Sequence, residues 1–165
     1  MQTIRGMLVT AFAVVIGCGR LEAAETGCSS TIEISGNLRL VKAEMDARSR
    51  LEQISAISDC LKRRAKSGTI GGVGNSVINQ LIDLLNDRED GVRGQSALAL
   101  GWFGHRAKRA IPALNRAYSK IEHEISQMEM IPAAASDADI IAALERITGK
   151  PGDQLELPPI PDDPK

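Results

Sequence analysis

The sequence predicts an all-α protein, a short α-solenoid of paired helices with a disordered N-terminal tether and a disordered C-terminal tail. Residues 87–114, DREDGVRGQSALALGWFGHRAKRAIPAL, read as a helix end, a turn, an Ala- and Gly-rich helix, another turn and the start of a third helix. Only 2% of the chain is aromatic although 43% is hydrophobic, so the core depends on Leu, Ile, Val and Ala, which suit helix packing. Ile78-Leu81 is also echoed by Ile111-Leu114, and helix pairs at a regular period indicate a solenoid.

The first 17 residues are predicted to be a signal peptide. Arg5 supplies a positive charge, and residues 7–17, MLVTAFAVVIG, form an uncharged apolar run. A transmembrane helix needs about 20 apolar residues, so this run fits the apolar region of a signal peptide better. The alternative is a buried core helix of a cytosolic protein.

The end of this run resembles the lipobox of bacterial lipoproteins. Val15-Ile16-Gly17-Cys18 shows branched and apolar residues, then Gly, then Cys. The resemblance implies a diacylglyceryl group on Cys18, which anchors the protein without a spanning helix. Gly19 stands where some bacteria use Asp to retain a lipoprotein at the inner membrane, which favours the outer membrane. Soluble export to the periplasm or beyond, with cleavage near Ala23 or Ala24, is the alternative.

The chain has three cysteines. If Cys18 is lipidated or removed, Cys28 and Cys60 remain as a pair in an oxidising compartment. We expect a disulfide between them that fixes the tether to the first helix, worth about 3–4 kcal/mol by the chain-entropy estimate. Two unrelated thiols are the alternative.

A tether over residues 18–37 and a long helix over residues 38–65 begin the mature chain. The apolar side chains of this helix recur on one face: Leu51, Ile54, Ile57, Cys60 and Leu61. A basic last turn and Gly68 end it. The Gly-rich stretch 68–75 lacks the Gly-Lys-Ser/Thr ending of a phosphate-binding loop, so we interpret it as a flexible connection.

Four further helices complete the helical domain, residues 38–150. They are predicted at residues 77–86, 92–103, 107–125 and 137–148. Pro112 falls in the first turns of the third, where its missing N–H costs least. Gly94 and Gly101 lie inside a helix at a cost of about 1 kcal/mol each, so we expect close packing there. Residues 151–165 are Pro-rich and acidic, and predict an extended tail.

The chain resembles HEAT repeats, especially the short bacterial type seen in phycobilisome-lyase-like proteins. The resemblance covers about two and a half repeats and is carried by Leu84-Leu85, Asp87, Asp90, Val92-Arg93, Ala99-Leu100-Gly101, Gly104 and Ala110-Ile111-Pro112-Ala113-Leu114. It implies that Asp90 and Arg93 form a structural ladder between neighbouring repeats. A weaker similarity between repeats makes Ser49-Arg50 equivalent to Val92-Arg93.

The residues favour binding over catalysis. The two histidines, His105 and His123, give no metal-ligand spacing, and no Ser/His/Asp set is evident. We therefore expect no enzyme activity, no cofactor and no metal site. The alternative is a HEAT-type enzyme or a chromophore-handling, lyase-like protein.

Two basic clusters are candidates for partner binding. Arg63 and Arg64 follow the first long helix, and Arg106, Lys108 and Arg109 follow the helix over residues 92–103. Stacked repeats would place them side by side as a ridge for an acidic partner or an anionic lipid surface. The alternative is two solvated turns, because cations are favoured at helix C-termini.

The sequence thus predicts a non-catalytic interaction module or scaffold of the bacterial cell envelope, anchored by lipid at the outer membrane or in the periplasm. Its expected partner is another envelope protein. Nucleic acid is not expected, because an exported chain with a formal net charge of −1 offers no basic surplus. A homodimer that extends the stack is compatible with the small number of repeats.

Overall fold

The structure is a computed structural model and describes residues 30–44, 46–126 and 135–157. The predicted signal peptide, Cys18, Cys28 and the end of the chain from residue 158 lie outside the described residues. Within the described ranges all regular secondary structure is helical, which confirms the all-α prediction.

Six α-helices follow one another in the described residues: α1 (Thr31–Ala43), α2 (Ala47–Lys66), α3 (Asn75–Leu84), α4 (Asp90–Gly101), α5 (Ile111–Ser126) and α6 (Ala135–Thr148). Short 3₁₀ turns occur at Thr69–Gly72, Gly104–Ala110 and Gly152–Gln154. The last four α-helices occupy the predicted positions to within a turn, except that residues 107–110 belong to the 3₁₀ turn that precedes α5.

The start of the fold differs from the expectation. α1 begins at Thr31, inside the segment 18–37 that was predicted to be a tether, and it buries Ile34 completely. A capping box starts this helix: the Ser30 hydroxyl accepts from the Glu33 amide at 3.2 Å, and the Glu33 carboxylate accepts from the Ser30 amide at 3.0 Å. The serine followed three residues later by Glu is the local signal that could have revealed α1.

A break also divides the helix predicted over residues 38–65. α1 ends at Ala43, and α2 begins at Ala47 with Asp46 as its N-cap. The Asp46 carboxylate accepts from the Ser49 amide at 2.7 Å, and this bond holds the pKa of Asp46 below its usual value. The capped start allows α1 and α2 to fold back on each other as a pair.

α4 is the centre of the packing, because it contacts α2, α3, α5 and α6. α2 and α6 lie on either side of it, and α1 packs against α2 and α3. The buried side chains form one hydrophobic cluster that runs through all six helices. α4 contributes small buried residues to this cluster, among them Gly94, Ser96, Ala97 and Ala99.

Gly101 shows why α4 needs small residues. A Cβ atom at this position would lie 3.1 Å from the Cα of Ala143 and 3.4 Å from the Cδ of Arg146, both on α6. The backbones of α4 and α6 therefore approach too closely for a larger side chain. This close approach is the packing reason expected for Gly101.

The C-terminal segment is only partly the extended tail that residues 151–165 predicted. Residues 151–157 turn back onto α6, where the Gly152 amide donates to the Glu145 carboxylate at 2.7 Å. Leu155 and Leu157 pack against the core and border a cavity of ≈ 220 Å³ between α5 and α6. Two Leu side chains thus hold a segment whose Pro and acidic content suggested no fixed structure.

Substitution of Gly101 by Val should destabilise the fold by about 1–3 kcal/mol, because the added side chain overpacks the contact between α4 and α6. The matched control is Gly36→Ala in α1, where nothing lies within 4 Å of an added Cβ. That change should stabilise the protein by about 0.5–1 kcal/mol through helix propensity. Urea unfolding followed by circular dichroism measures both, and a Gly101→Val variant as stable as the wild type would contradict the close approach.

Candidate interaction surface

The Gly-rich loop after α2 is held by arginines from two other parts of the chain. Arg106 donates to the carbonyl oxygens of Ile70 and Val73, each at 2.7 Å. Arg109 donates to the Asn75 carbonyl at 2.7 Å, and Arg64 donates to the Thr69 carbonyl at 3.4 Å. These bonds satisfy loop carbonyls that would otherwise need water. Residues 68–75, which the sequence predicted to be a flexible connection, are thus bonded to α2 and to the turn that precedes α5.

The described chain begins at the same loop. The Thr31 hydroxyl donates to the Gly72 carbonyl at 3.0 Å and accepts from the Gly74 amide at 3.2 Å. The N-terminus of α1 therefore lies beside the C-terminus of α2, next to the arginine contacts.

Trp102 marks the place where the C-terminal ends of α2, α4 and α6 meet. The Arg146 guanidinium carbon lies 4.2 Å from the centre of the indole ring, and the Lys62 ammonium lies 5.7 Å from it. Both distances are within the range of cation–π attraction. The half-buried indole thus links the last turns of three helices that run parallel.

Cations gather around this meeting point. We name as the basic edge Lys62, Arg63, Arg64, Lys66, Arg106, Lys108, Arg109, Arg146 and Lys150. Residues 60–75 contain four Lys or Arg and residues 101–114 contain three, with no Asp or Glu in either stretch. Arg63, Lys66, Lys108 and Lys150 are exposed. The edge therefore carries positive charge that reaches solvent.

Of the five residues predicted to bind a partner, Arg64, Arg106 and Arg109 contact the Gly-rich loop, and Arg63 and Lys108 are exposed beside them in the chain. Three of them, Arg64, Arg106 and Arg109, also bind backbone carbonyls, a role that the sequence pattern did not predict. The signal for it was the Gly-rich loop itself, which has few side chains with which to satisfy its own carbonyls.

The opposite ends of α4 and α6 carry Asp90 and Asp137 in their first turns. Burial, followed by the charges of Asp137 and Asp90, raises the pKa of Asp139 above its usual value. The N-terminal ends of α4 and α6 are therefore close together, as their C-terminal ends are. Anions at helix N-termini and cations at helix C-termini both complement the helix dipole.

Asp90 and Arg93, the residues predicted to form a ladder between repeats, contact each other within one helix. Arg93 is 1% exposed and donates to Asp90 at 3.2 Å and to the Asp87 carbonyl at 3.1 Å, so this contact stabilises the turn before α4. The contact between α2 and this turn is made by Arg50, which donates to the Asp87 carboxylate at 3.1 Å. Arg50 stands at the position equivalent to Arg93 in the sequence similarity between repeats, and that equivalence could have identified it.

Cys60 is buried and disulfide-bonded. The other two cysteines of the chain, Cys18 and Cys28, lie outside the described residues. The pairing of Cys60 with Cys28 stays a prediction.

Within the part of the chain that the structure describes, no group of three or more His, Cys, Asp or Glu is placed to hold a metal ion. In the same ranges no helix combines the length and the apolar character that a membrane span requires. Comparison of the chain with protein-family models, with curated proteins and with solved structures gives no match.

Replacement of Arg106 by Ala should remove both of its bonds to the loop and lower the free energy of unfolding by about 1–2 kcal/mol. Lys108→Ala, an exposed cation two residues away, is the matched control and should change it by less than about 0.5 kcal/mol. Urea unfolding gives the energies, and amide hydrogen exchange over residues 69–75 locates the effect. Equal stability of the two variants would show that the arginine bonds do not hold the loop.

Proposed function

We propose that the chain is a lipid-anchored, HEAT-like α-solenoid of the bacterial cell envelope that binds another envelope protein and catalyses no reaction. The observation that carries the proposal is the parallel row of α2, α4 and α6, with α1 and α3 packed behind it. Such a row offers a broad surface, which suits a scaffold.

The helix contacts support a stack of three pairs, α1–α2, α3–α4 and α5–α6. Each pair contacts internally, and α4 contacts both α2 and α6. In solenoids each repeat packs on its neighbours, because no repeat can bury its apolar face alone. The small residues of α4 allow its neighbours to approach from both sides.

The outer surface of α4 offers a site for the partner. Gln95, Leu98 and Trp102 are half-buried and fall at helical spacing on one side of the helix. Leu98 gives the centre of the row an apolar side chain that a partner can cover. Gln95 adds a group that can donate and accept hydrogen bonds.

Two features support export with an anchor. The pattern Val15-Ile16-Gly17-Cys18 resembles a lipobox, and the apolar run before it has the length of a signal peptide. The disulfide at Cys60 favours an oxidising compartment.

Metabolic labelling with an alkyne fatty acid tests the anchor. The wild-type protein should be labelled, and Cys18→Ser should lose the label completely because the acceptor thiol is gone. Cys28→Ser is the matched control and should keep it. An unlabelled mature protein that begins near Ala24 would contradict lipid anchoring and favour soluble export.

Site-specific photocrosslinking in the native envelope tests partner binding. A photoreactive residue in place of Leu98, on the row, should capture one envelope protein at fixed stoichiometry. The same residue in place of Arg116, which is exposed on α5, should not capture that protein. Equal capture from both positions would contradict the proposed surface. A metal ion or pigment in the purified protein would favour the enzymatic or chromophore-handling alternative.

A further inference from the structure

We propose that the basic edge lies against the anionic phospholipid headgroups of the membrane that holds the lipid anchor. This inference rests on the proposed anchoring at Cys18. It adds an orientation: the C-terminal ends of α2, α4 and α6 face the bilayer, and their N-terminal ends point away from it.

The position where the chain enters the fold supports this orientation. Thr31 is bonded to Gly72 and Gly74, in the loop that Arg106 holds. Ser30 lies twelve positions after Cys18 in the chain. A fully extended chain of that length spans at most about 40 Å. An anchor on Cys18 is therefore attached to the fold at this edge rather than at the opposite one, and attraction between the cations and anionic lipid sets the orientation.

The charges of the edge fit a headgroup layer. Its nine Lys and Arg exceed the five acidic residues on the neighbouring turns: Glu33, Asp59, Glu145, Asp153 and Glu156. Glu145 is in addition bound by the Gly152 amide. The exposed Arg63, Lys66, Lys108 and Lys150 carry long stems that can extend toward phosphates. Clusters of Lys and Arg next to a membrane attachment are attracted to anionic lipid.

Trp102 places an aromatic ring among the cations of the basic edge. Its ring is half-buried and lies beside Lys62 and Arg146. Trp rings favour the interface between water and lipid, because they combine a large apolar surface with one N–H donor. A Trp ring surrounded by cations therefore suits the interface between water and an anionic lipid layer.

Trp102 also provides the test, since it is the only tryptophan of the chain. The mature protein purified from membranes is reconstituted into vesicles of phosphatidylcholine or of phosphatidylcholine mixed with phosphatidylglycerol, each containing brominated phosphatidylcholine as quencher. The same preparation, with the same anchor, is used in both samples. We expect stronger quenching of Trp102 in the anionic vesicles, and loss of the difference at 1 M salt, where the screening length is about 3 Å.

The double variant Arg63→Glu/Lys66→Glu should lose the additional quenching in anionic vesicles. The matched control, Arg39→Glu/Arg48→Glu, makes the same charge change at exposed residues away from the basic edge and should keep it. Circular dichroism verifies the helix content of each variant, and Arg63→Gln/Lys66→Gln gives a milder change if charge reversal unfolds α2. Equal quenching of the wild type in the two vesicle types, or equal loss in both double variants, would overturn the proposal.

Fatty-acid labelling of the same preparation separates the two proposals. Labelled protein whose Trp102 does not respond to anionic lipid overturns the orientation and leaves the anchor intact. Protein that is unlabelled but still shows the anionic response overturns the anchor and supports the lipid contact of the basic edge.

Discussion

The close approach of α4 to its neighbours is the constraint on which the rest of the structure depends. Gly101 allows the backbones of α4 and α6 to meet, and Gly91 at the other end of α4 lies against the side chain of Leu51 on α2. Because α4 has a glycine at each of these contacts, α2, α4 and α6 can lie parallel with their ends aligned. That alignment brings together the cations of one edge and the carboxylates of the other.

Polar contacts then hold the turns between the helices. Arg50 and Arg93 are buried and bind the turn before α4, and Arg106 binds the loop before α3. In each case a guanidinium, which has several donors in a fixed fork, reaches more than one acceptor in a turn. Buried Arg50 and Arg93 thus hold one turn, and Arg106 and Arg109 hold the loop although they are exposed.

The helices from residue 75 onward could be predicted because each has a regular apolar period and clear end signals. α1 was missed because its start depends on a capping box within a segment rich in Ser and Gly, and because its buried face is short. The roles of Arg106 and Arg109 could not be read locally, because their acceptors lie more than thirty positions earlier in the chain. The composition of residues 151–157 indicated an extended tail, although Leu155 and Leu157 find contacts that only the assembled α5 and α6 provide.

The charge distribution along the helix row determines how the protein interacts electrostatically with a surface. With a formal net charge of −1, the chain exerts little Coulomb force at a distance. Its separated charges nevertheless give it a dipole along the axes of α2, α4 and α6. At physiological ionic strength, fields decay over about 8 Å, which is shorter than a helix of this length. Each pole is therefore sensed almost independently of the other, so the molecule behaves as a cation toward a surface at one end and as an anion toward a surface at the other.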